Sequence, residues 1–421
     1  MQAASTWDWT PGKKTILEDA TACSSEYEWM QESVASPDGE SLAAIVKLGD
    51  EEFTMCVNGE PWENVFEKAW NPKYSPDGRL TAIVMTDMAW TVAIEAEAWE
   101  ETYDFVWNTS FSENGEIVAA SIQSEGRYGW NVDGTPWDEL FENANNFVLS
   151  KDGSATAAAV QVKSLAQADI AGFQSGIFSV AVGGVAWDSI FMNCWTPAFD
   201  ATASKVATAI RTSLYDYSVA VDGKAWPASF ACVWEPAFNP ATGEVVAPVR
   251  HQGAWGMAQD GKILWKPAFF QCWRPAFSDD GKILAAIVAP EYGKFTVAVN
   301  GRPWEAMFPV VTDLVMSPDG ATIAAQSSED NVNFRIMVNG KVWNGTYDMA
   351  FGPVVGPGGN VACRVEKAGK QAILLNGKAY PESFDQAFDP IFSPDGGKVL
   401  IRGVAGGKYQ RIVAEAGAFK G

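Results

Sequence analysis

The fold is decided by a stretch that runs from Phe277 to Trp304 and reads FSDDGKILAAIVAPEYGKFTVAVNGRPW. Asp280-Gly281 and Asn300-Gly301 separate apolar runs, and Asn-Gly is the strongest short signal for a β-hairpin. The run from Leu284 to Val288 is apolar at every position, which is typical of a strand covered on both faces. The stretch therefore predicts three consecutive antiparallel strands joined by two turns.

The same pattern recurs along the whole chain and ends each time at a large aromatic residue, here called the anchor. The anchors are Trp62, Trp99, Trp137, Trp187, Trp226, Trp265, Trp304, Trp343 and Tyr380. A second aromatic follows each anchor four residues later. A turn opens 13 residues after the anchor, as at Ser317-Pro318-Asp319-Gly320, which follows the anchor Trp304. Nine aromatic pairs at one fixed spacing indicate a tandem repeat.

The repeat length indicates which repeat architecture this is. Successive anchors lie mostly 37 to 39 residues apart, close to the ~40–45 residues of a four-stranded propeller blade. An additional turn at Ser36 brings the number of units to ten. The sequence predicts an all-β chain, a β-propeller of four-stranded blades built from about ten repeats of about 39 residues.

The repeats leave no linker, so we predict a single propeller over residues 1–421, with a lead-in over 1–21 and blades over 22–421. Residues 161–176 form an insertion, predicted to be a loop between two middle strands. Because propellers usually have ~4–8 blades, ten units allow one large ring or two five-bladed rings, and we favour one ring. Ala20, Cys23 and Tyr27 match the repeat, which predicts that residues 22–30 close the propeller as the outermost strand of the blade near 385–415.

Composition excludes several classes of function. A net charge of −22 argues against nucleic acid and anionic lipid, and favours a neutral or basic partner. Six cysteines without a C-x-x-C pair predict neither a disulfide framework nor a cofactor site, and the single histidine, His251, argues against an enzyme. No apolar run approaches the ~20 residues that cross a bilayer, and no signal peptide precedes Trp7, so the expected location is the cytoplasm.

Two sets of residues have competing interpretations. The anchors are predicted to be structural, because one large aromatic per blade suits packing between blades. Cys194, Cys232 and Cys272 precede tryptophans in consecutive units, and we interpret them as small buried apolar residues rather than ligands of a metal or an iron–sulfur cluster.

Aromatic residues away from the anchors indicate a binding surface. One group of tryptophans lies at the start of the predicted first strands, often as Trp-x-Pro. A second group lies in the predicted hairpins between second and third strands, together with Tyr128, Tyr215, Tyr217 and Tyr292. Because Trp and Tyr are enriched at interface hot spots, we predict partner binding by Trp70, Trp90, Trp107, Trp130, Trp195, Trp234, Trp255 and Trp273.

The Ser-Pro-Asp-Gly turns and the Asn-Gly-x-x-Trp segments resemble WD40-like and TolB-type propeller repeats over residues 22–421. With 19 tryptophans and an acidic composition, the chain as a whole resembles the tryptophan-rich subunits of the Tmc transmembrane electron-transfer complexes of sulfate-respiring bacteria. That resemblance implies a scaffold subunit without a cofactor, peripheral to the inner face of the cytoplasmic membrane. Its implied partners are an iron–sulfur subunit, a membrane cytochrome b and periplasmic cytochrome c3, whose electrons pass to cytoplasmic acceptors.

Two other functions stay open. A hydrolase or lyase needs clustered acid, base or metal-binding groups, which a chain with one histidine supplies poorly. A ligand-binding propeller that stacks a glycan or another small molecule on its indoles is the more credible alternative to the scaffold.

Overall fold

The computed structural model describes residues 3–20, 27 and 29–420, and contains ten four-stranded antiparallel sheets. The predicted all-β class and the count of ten propeller blades are confirmed. Within the part of the chain that the structure describes, helix is limited to Ile170–Gln174, in the insertion between the second and third strands of blade 4, and to three short 3-10 turns at Ala3–Thr6, Pro357–Gly359 and Ala416–Ala418. In the described residues, no helix combines the length and the apolar character that crossing a membrane requires.

The second strand of each blade is the most buried element, because its residues are apolar on both faces. In blade 7, for example, Leu284 to Ala289 are all buried. The second strands, in blade order, are Leu42–Gly49, Leu80–Thr86, Val118–Ser124, Thr156–Gln161, Val206–Arg211, Val245–His251, Leu284–Glu291, Ile323–Ser328, Val361–Lys367 and Lys398–Ala405. Side chains from neighbouring second strands form the core clusters, as where Ile287 packs with Ile323.

The third strand returns through a tight hairpin and buries its central residues. In five blades a Thr or Ser near its start donates a hydrogen bond to a carbonyl ten residues later, as from Thr54 Oγ1 to the Asn64 oxygen at 2.8 Å. The third strands are Glu52–Val57, Ala89–Ile94, Arg127–Val132, Phe178–Val182, Tyr217–Val221, Ala254–Gln259, Lys294–Val299, Phe334–Val338, Lys370–Leu375 and Lys408–Glu415.

The first strand is bent by a bulge in its middle. The residue after the first-strand tryptophan has a positive φ, as at Asn71 (52°) and Arg274 (54°), and the register to the second strand shifts there. The first strands are Trp29–Ala35, Lys68–Tyr74, Phe105–Phe111, Ala144–Leu149, Asn193–Cys194 with Ala198–Phe199, Cys232–Val233 with Ala237–Phe238, Gln271–Phe277, Val310–Met316, Met349–Ala350 with Val354–Val355, and Gln386–Ala387 with Ile391–Phe392. Pro72 and Pro275 lie at this bulge, where no ladder donor is needed, and not at the first position of the strand as their sequence context indicated.

The fourth strand is short and ends immediately before the anchor in most blades. The fourth strands are Glu60–Pro61, Glu97–Ala98, Thr135–Pro136, Val185–Ala186, Lys224–Ala225, Lys262–Phe269, Arg302–Pro303, Lys341–Val342 and Lys378–Ala379 in blades 1 to 9. Proline and charged residues suit this exposed edge position.

Six anchors, Trp99, Trp137, Trp187, Trp226, Trp265 and Trp304, pack beneath a turn of the following blade. A Cβ built on Gly340, in the Asn-Gly turn of blade 8, would lie 3.2 Å from the ring of Trp304 in blade 7. Gly301 stands in the same relation to Trp265, and Gly134 to Trp99. These glycines have φ near +80°, so both the backbone conformation and the close ring favour glycine.

Two compact units divide the chain. The first comprises Met1–Glu125, Asn131–Pro136 and Tyr347–Gly421, and the second comprises Gly126–Trp130 and Trp137–Thr346. Blades 1, 2, 9 and 10 and most of blade 3 belong to the first unit, whereas blades 4 to 8 belong to the second. The arrangement of all ten blades as a single ring stays a prediction.

An N-terminal strand completes blade 10, as predicted, but its position differs. Gly12–Leu17 pairs with Lys408–Glu415, from Gly12 opposite Val413 to Leu17 opposite Tyr409. The prediction that residues 22–30 form the closing strand is wrong at its described end. Trp29–Ala35 is instead the first strand of blade 1 and pairs with Leu42–Gly49. Residues 22–26 and 28 of that segment lie outside the described residues. The closing strand, GKKTIL, is mostly exposed. It has no buried aromatic residue, so the aromatic spacing that marks the repeats does not reveal it.

Charged side chains hold the closing strand to its neighbours. Lys13 pairs with Glu382 at 2.7 Å and Lys14 with Glu40 at 2.5 Å. Arg411 donates from Nε to the Asp38 carbonyl at 2.7 Å and from Nη2 to the Asp8 carbonyl at 2.5 Å. Exposed ion pairs contribute little individually, so the backbone ladder provides most of the closure and the charges fix its register.

Removal of residues 1–19 is expected to leave Lys408–Glu415 as an unpaired edge, and the truncated protein should form soluble oligomers or aggregate. Size-exclusion chromatography with light scattering measures this. A variant that lacks only residues 1–6 keeps the closing strand and should stay at the wild-type mass. An unchanged mass for both truncations would contradict the closing role of this strand.

The turn before each second strand uses one hydrogen-bond pattern. In five blades a serine hydroxyl donates to the aspartate two residues later and accepts from the backbone N–H five residues later, as at Ser278 with Asp280 and Ile283. Hydrogen bonds from Lys282, then from Ser278, lower the pKa of Asp280 to about 2. Hydrogen bonds led by the serine hydroxyl also lower the pKa of Asp152, Asp319 and Asp395.

These lowered pKa values predict a loss of stability in acid. Each ionised aspartate stabilises the folded state above its unfolded pKa of ~3.9, and that contribution disappears as pH falls through the lower folded value. Blade 3 has Asn114 in place of the aspartate, and Ser112 donates to its Oδ1 at 2.7 Å, so asparagine keeps the turn without titrating. The melting temperature of a variant with Asp152→Asn, Asp319→Asn and Asp395→Asn should therefore fall less between pH 5 and about pH 2 than that of the wild type. Parallel curves would show that these turns do not control acid stability.

Candidate binding surface

The aromatic residues of the first and third strands form a second repeated contact. Besides Trp29 with Phe53 in blade 1, five blades place the two rings at equivalent positions with centroids 5.2 to 6.4 Å apart, a spacing typical of aromatic pairs. The pairs are Trp70 with Trp90, Trp195 with Tyr217, Trp234 with Trp255, Trp273 with Phe295, and Phe388 with Tyr409. The predicted site residues Trp70, Trp195, Trp234 and Trp273 thus each meet an aromatic of their own blade.

The third-strand aromatic also has a fixed place in the repeat, nine residues before the anchor. Its backbone pairs with the aromatic that follows the anchor, as in Trp90 with Tyr103 and Phe295 with Phe308. Trp90 therefore follows the repeat, although it lies away from the anchors. Trp255 lies ten residues before Trp265 because the register shifts between Trp255 and Met257. The nine-residue spacing is a sequence signal that could have revealed this position.

Trp130 is not available to a partner. Its side chain is fully buried, its indole Nε1 donates to the Ala157 carbonyl at 3.2 Å, and its ring packs edge-on against Phe147. The prediction that Trp130 binds a partner is wrong because the side chain fills the space between two strands. Trp255 is only 5% exposed and belongs to a core cluster with Trp265. Trp255 nevertheless also lines a surface cavity.

The first unit carries an aromatic cluster on blades 2 and 3. Phe105 stacks on Trp70 at 6.0 Å and on Trp107 at 5.8 Å, and meets Trp90 edge-on at 6.1 Å. Phe105, which the sequence analysis did not single out, is 40% exposed, whereas the three tryptophans are half-buried. Three predicted site residues, Trp70, Trp90 and Trp107, are thus brought together around one phenylalanine.

The second unit carries an aromatic cleft, defined here by Trp234, Trp255, Phe270, Gln271, Tyr292 and Phe295 of blades 6 and 7. It consists of two adjoining cavities of about 530 and 440 Å³ that share Trp234, Gln271 and Phe295. Trp255 stacks on Trp234 with ring planes 7° apart. Tyr292 lies at a hairpin tip and is 86% exposed, and Phe270 beside it is 55% exposed.

The charge of the aromatic cleft differs from that of the protein. Among the described residues that line the larger cavity, Arg250 alone carries a charge, and it lies opposite Trp255 in the ladder of blade 6. Glu235 lines the smaller cavity. The cleft is thus a mainly apolar surface with one cation and one carboxylate inside an acidic chain, suited to burying apolar groups of a partner.

Cys194, Cys232 and Cys272 are interpreted as small buried apolar residues, and two of the three are buried. Cys194 and Cys272 are buried, and burial raises the pKa of both thiols, that of Cys272 to about 12. Cys232 is half-buried beside the cleft, and burial raises its pKa despite the nearby Arg250. The described residues hold no group of three His, Cys, Asp or Glu suited to a metal ion. Cys56 is disulfide-bonded, a bond that the cysteine spacing did not predict.

The single histidine occupies an ordinary structural position. His251 ends the second strand of blade 6, is half-buried, and meets the ring of Phe230 edge-on at 6.2 Å. It lies on the same blade as the cleft but is not among the residues that line either cavity.

Comparison with known proteins supports the fold. No protein-family profile matches the chain, and no curated protein matches its sequence. Among solved structures, the crystal structure of the eukaryotic initiation factor is similar over 82% of this chain and 97% of its own, with a TM-score of 0.50 and 12% identity. A prolyl endopeptidase matches 84% of this chain and 57% of its own with a TM-score of 0.39 and 8% identity. At these identities the likeness concerns fold alone.

Trp255 is buried and Tyr292 is exposed, so replacing each of them is expected to affect stability differently. Trp255→Ala should lower the free energy of unfolding by about 3–5 kcal/mol, because it empties a buried indole site. Tyr292→Ala should change it by less than about 0.5 kcal/mol, because the ring is almost wholly in solvent. Urea denaturation followed by tryptophan fluorescence and circular dichroism measures both. Equal losses would mean that Tyr292 is packed in solution.

Proposed function

We propose that this protein is a docking subunit without catalytic activity, and that the aromatic cleft of the second unit is its partner-binding surface. The exposure of Tyr292 and Phe270 beside Trp234 is the observation that supports this most directly. Large apolar rings are costly to leave in water, and aromatic residues around a concave surface are typical of interface hot spots.

A binding role is favoured over catalysis by the chemistry of the cleft. General acid–base catalysis needs a titratable group within hydrogen-bond reach of the substrate. The larger cavity offers indole, phenyl and phenol groups with one arginine, one glutamine amide and the thiol of Cys232, whose pKa burial raises. Such a lining holds a partner by apolar contact and orients it through a few polar groups.

The proposed partner is a subunit of a membrane-associated electron-transfer complex. This rests on the resemblance to the tryptophan-rich subunits of Tmc complexes, in which the protein would link electron transfer from periplasmic cytochrome c3 to cytoplasmic acceptors. The proposed occupant of the cleft is a loop of the iron–sulfur subunit or of the membrane cytochrome b that presents an apolar side chain. The net charge of −22 would steer a basic surface around that loop towards this protein.

The proposed location is the cytoplasmic side of the membrane. One observation points the other way: Cys56 is disulfide-bonded, and disulfides are rare in cytosolic proteins. Alkylation of thiols in intact cells, followed by mass spectrometry of Cys56, separates the two locations. A reduced Cys56 agrees with a cytoplasmic location, and an oxidised one favours an extracytoplasmic location.

The docking proposal is tested by affinity purification of the tagged protein from detergent-solubilised membranes of its native cell. Phe270→Ala combined with Tyr292→Ala should reduce recovery of the partner subunits at least about tenfold, as loss of two hot-spot residues does. The matched control is Tyr215→Ala, because Tyr215 is 82% exposed on another hairpin of the same unit. Recovery unchanged in the double variant, or equally reduced in the control, would contradict docking through the cleft.

A second candidate function is small-molecule or glycan binding in the same cleft. The cavity of about 530 Å³ is within the size range of small-ligand sites, and Arg250 and Gln271 supply polar groups beside the rings. Titration calorimetry with oligosaccharides distinguishes the two functions. Saturable glycan binding that is lost in the Phe270→Ala, Tyr292→Ala variant would favour this alternative.

A further inference from the structure

A separate cavity of about 610 Å³ lies in the first unit, against the first strands of blades 1, 2 and 10. Its charged lining consists of three cations, Lys73, Arg364 and Arg402, and one carboxylate, Asp389. The formal charge of the lining is therefore +2, in a chain whose net charge is −22. A concentration of positive charge in so acidic a protein calls for an explanation beyond packing.

Lys73 is a half-buried cation bonded to a neutral group. Its Nζ donates to the Thr109 carbonyl at 2.9 Å, and burial lowers the pKa of the ammonium group. A lysine ammonium has three donors, so this bond leaves donor capacity at the wall of the cavity.

Arg402 is a more deeply buried cation. Its Nη1 donates to the Ser36 carbonyl at 2.8 Å and its Nη2 to the Asp389 carbonyl at 2.8 Å, both uncharged acceptors. Its Nε is buried and has no hydrogen-bond partner among the described residues. A buried charge that is bonded to neutral carbonyls and keeps one donor unsatisfied is costly unless an anion approaches it.

Arg364 is fixed in place at the ninth blade. Its Nε lies 2.9 Å from Asp389 Oδ1, and its guanidinium carbon lies 3.5 Å from the centre of the Phe351 ring. Stacking and ion pairing together hold the guanidinium plane at the cavity wall without using all five of its donors.

We propose that this cavity binds a small dicarboxylate. Two of the cations stand on different blades, Lys73 on blade 2 and Arg364 on blade 9, and the wall includes apolar residues such as Pro72, Phe388 and Ile391. A dicarboxylate matches this pattern because it carries two separate charges joined by a hydrocarbon chain. Guanidinium groups bind planar carboxylates through paired N–H donors, and the two negative charges balance the lining. The site is distinct from the aromatic cleft and does not depend on the proposed docking function.

The test uses the full chain with succinate and glutarate as probes, at constant ionic strength. Either probe should bind saturably in titration calorimetry and raise the melting temperature as its concentration rises. Butyrate, which has one carboxylate, should bind at least about tenfold more weakly, because one charge-assisted contact is lost. This comparison needs only the wild-type protein.

Variants then locate the site. Lys73→Met and Arg364→Gln should each weaken succinate binding about tenfold or more, whereas Lys341→Met, at an exposed position of the second unit, should leave it unchanged. Unchanged binding in both cavity variants would place the site elsewhere and overturn the proposal. Inorganic phosphate binding as tightly as succinate would overturn the dicarboxylate class, and the absence of binding by every probe would overturn the site itself.

Discussion

The contact between an anchor ring and the glycine of the next blade is the interaction on which the architecture depends. In the second unit, the Trp137, Trp265 and Trp304 rings lie 3.1 to 3.3 Å from the position that a Cβ on Gly184, Gly301 or Gly340 would occupy. A side chain there would collide with the ring, and the positive φ would be strained as well. The turn that reverses one hairpin thus also supplies the flat surface that receives the preceding blade. This shared use explains why Asn-Gly or Asp-Gly and an aromatic anchor recur together.

Much of the fold could be predicted because each blade repeats the same physical solution. Apolar second strands, turn residues with positive φ and one anchor per unit gave the class, the blade count and the order of the middle strands. Details at the edges failed, because those strands are short or polar. The closing strand, Gly12–Leu17, is held by ladder bonds and by Lys13 and Lys14, which leave no aromatic pattern in the sequence. The bulge that accommodates Pro72 depends on a register shift that proline alone does not specify.

The binding surface was less predictable, because residue type does not determine exposure. Trp130 and Trp234 have the same chemistry, yet the first is fully buried and the second is 42% exposed. Trp130 lies at the buried centre of a third strand, Arg127–Val132, whereas Trp234 follows the short strand Cys232–Val233 and lines the cleft. Phe270 was overlooked because it directly follows the repeat aromatic Phe269, at a position where none of the other eight anchored units has an aromatic residue.

The pairing of Lys13 with Ile412 has a consequence for how the protein reaches its folded state. The two residues are roughly 400 positions apart, so this ladder is the least local contact in blade 10, whereas the contacts within every other blade span fewer than about 60 positions. Entropy of loop closure delays such a contact until the intervening chain is compact, and folding slows as contacts become less local. Blades can thus form one after another from their own hairpins, but the strand that closes the last of them must wait. We expect the joining of Gly12–Leu17 to be the late, rate-limiting event of folding, and its opening to be the route by which the folded protein first exposes a sheet edge.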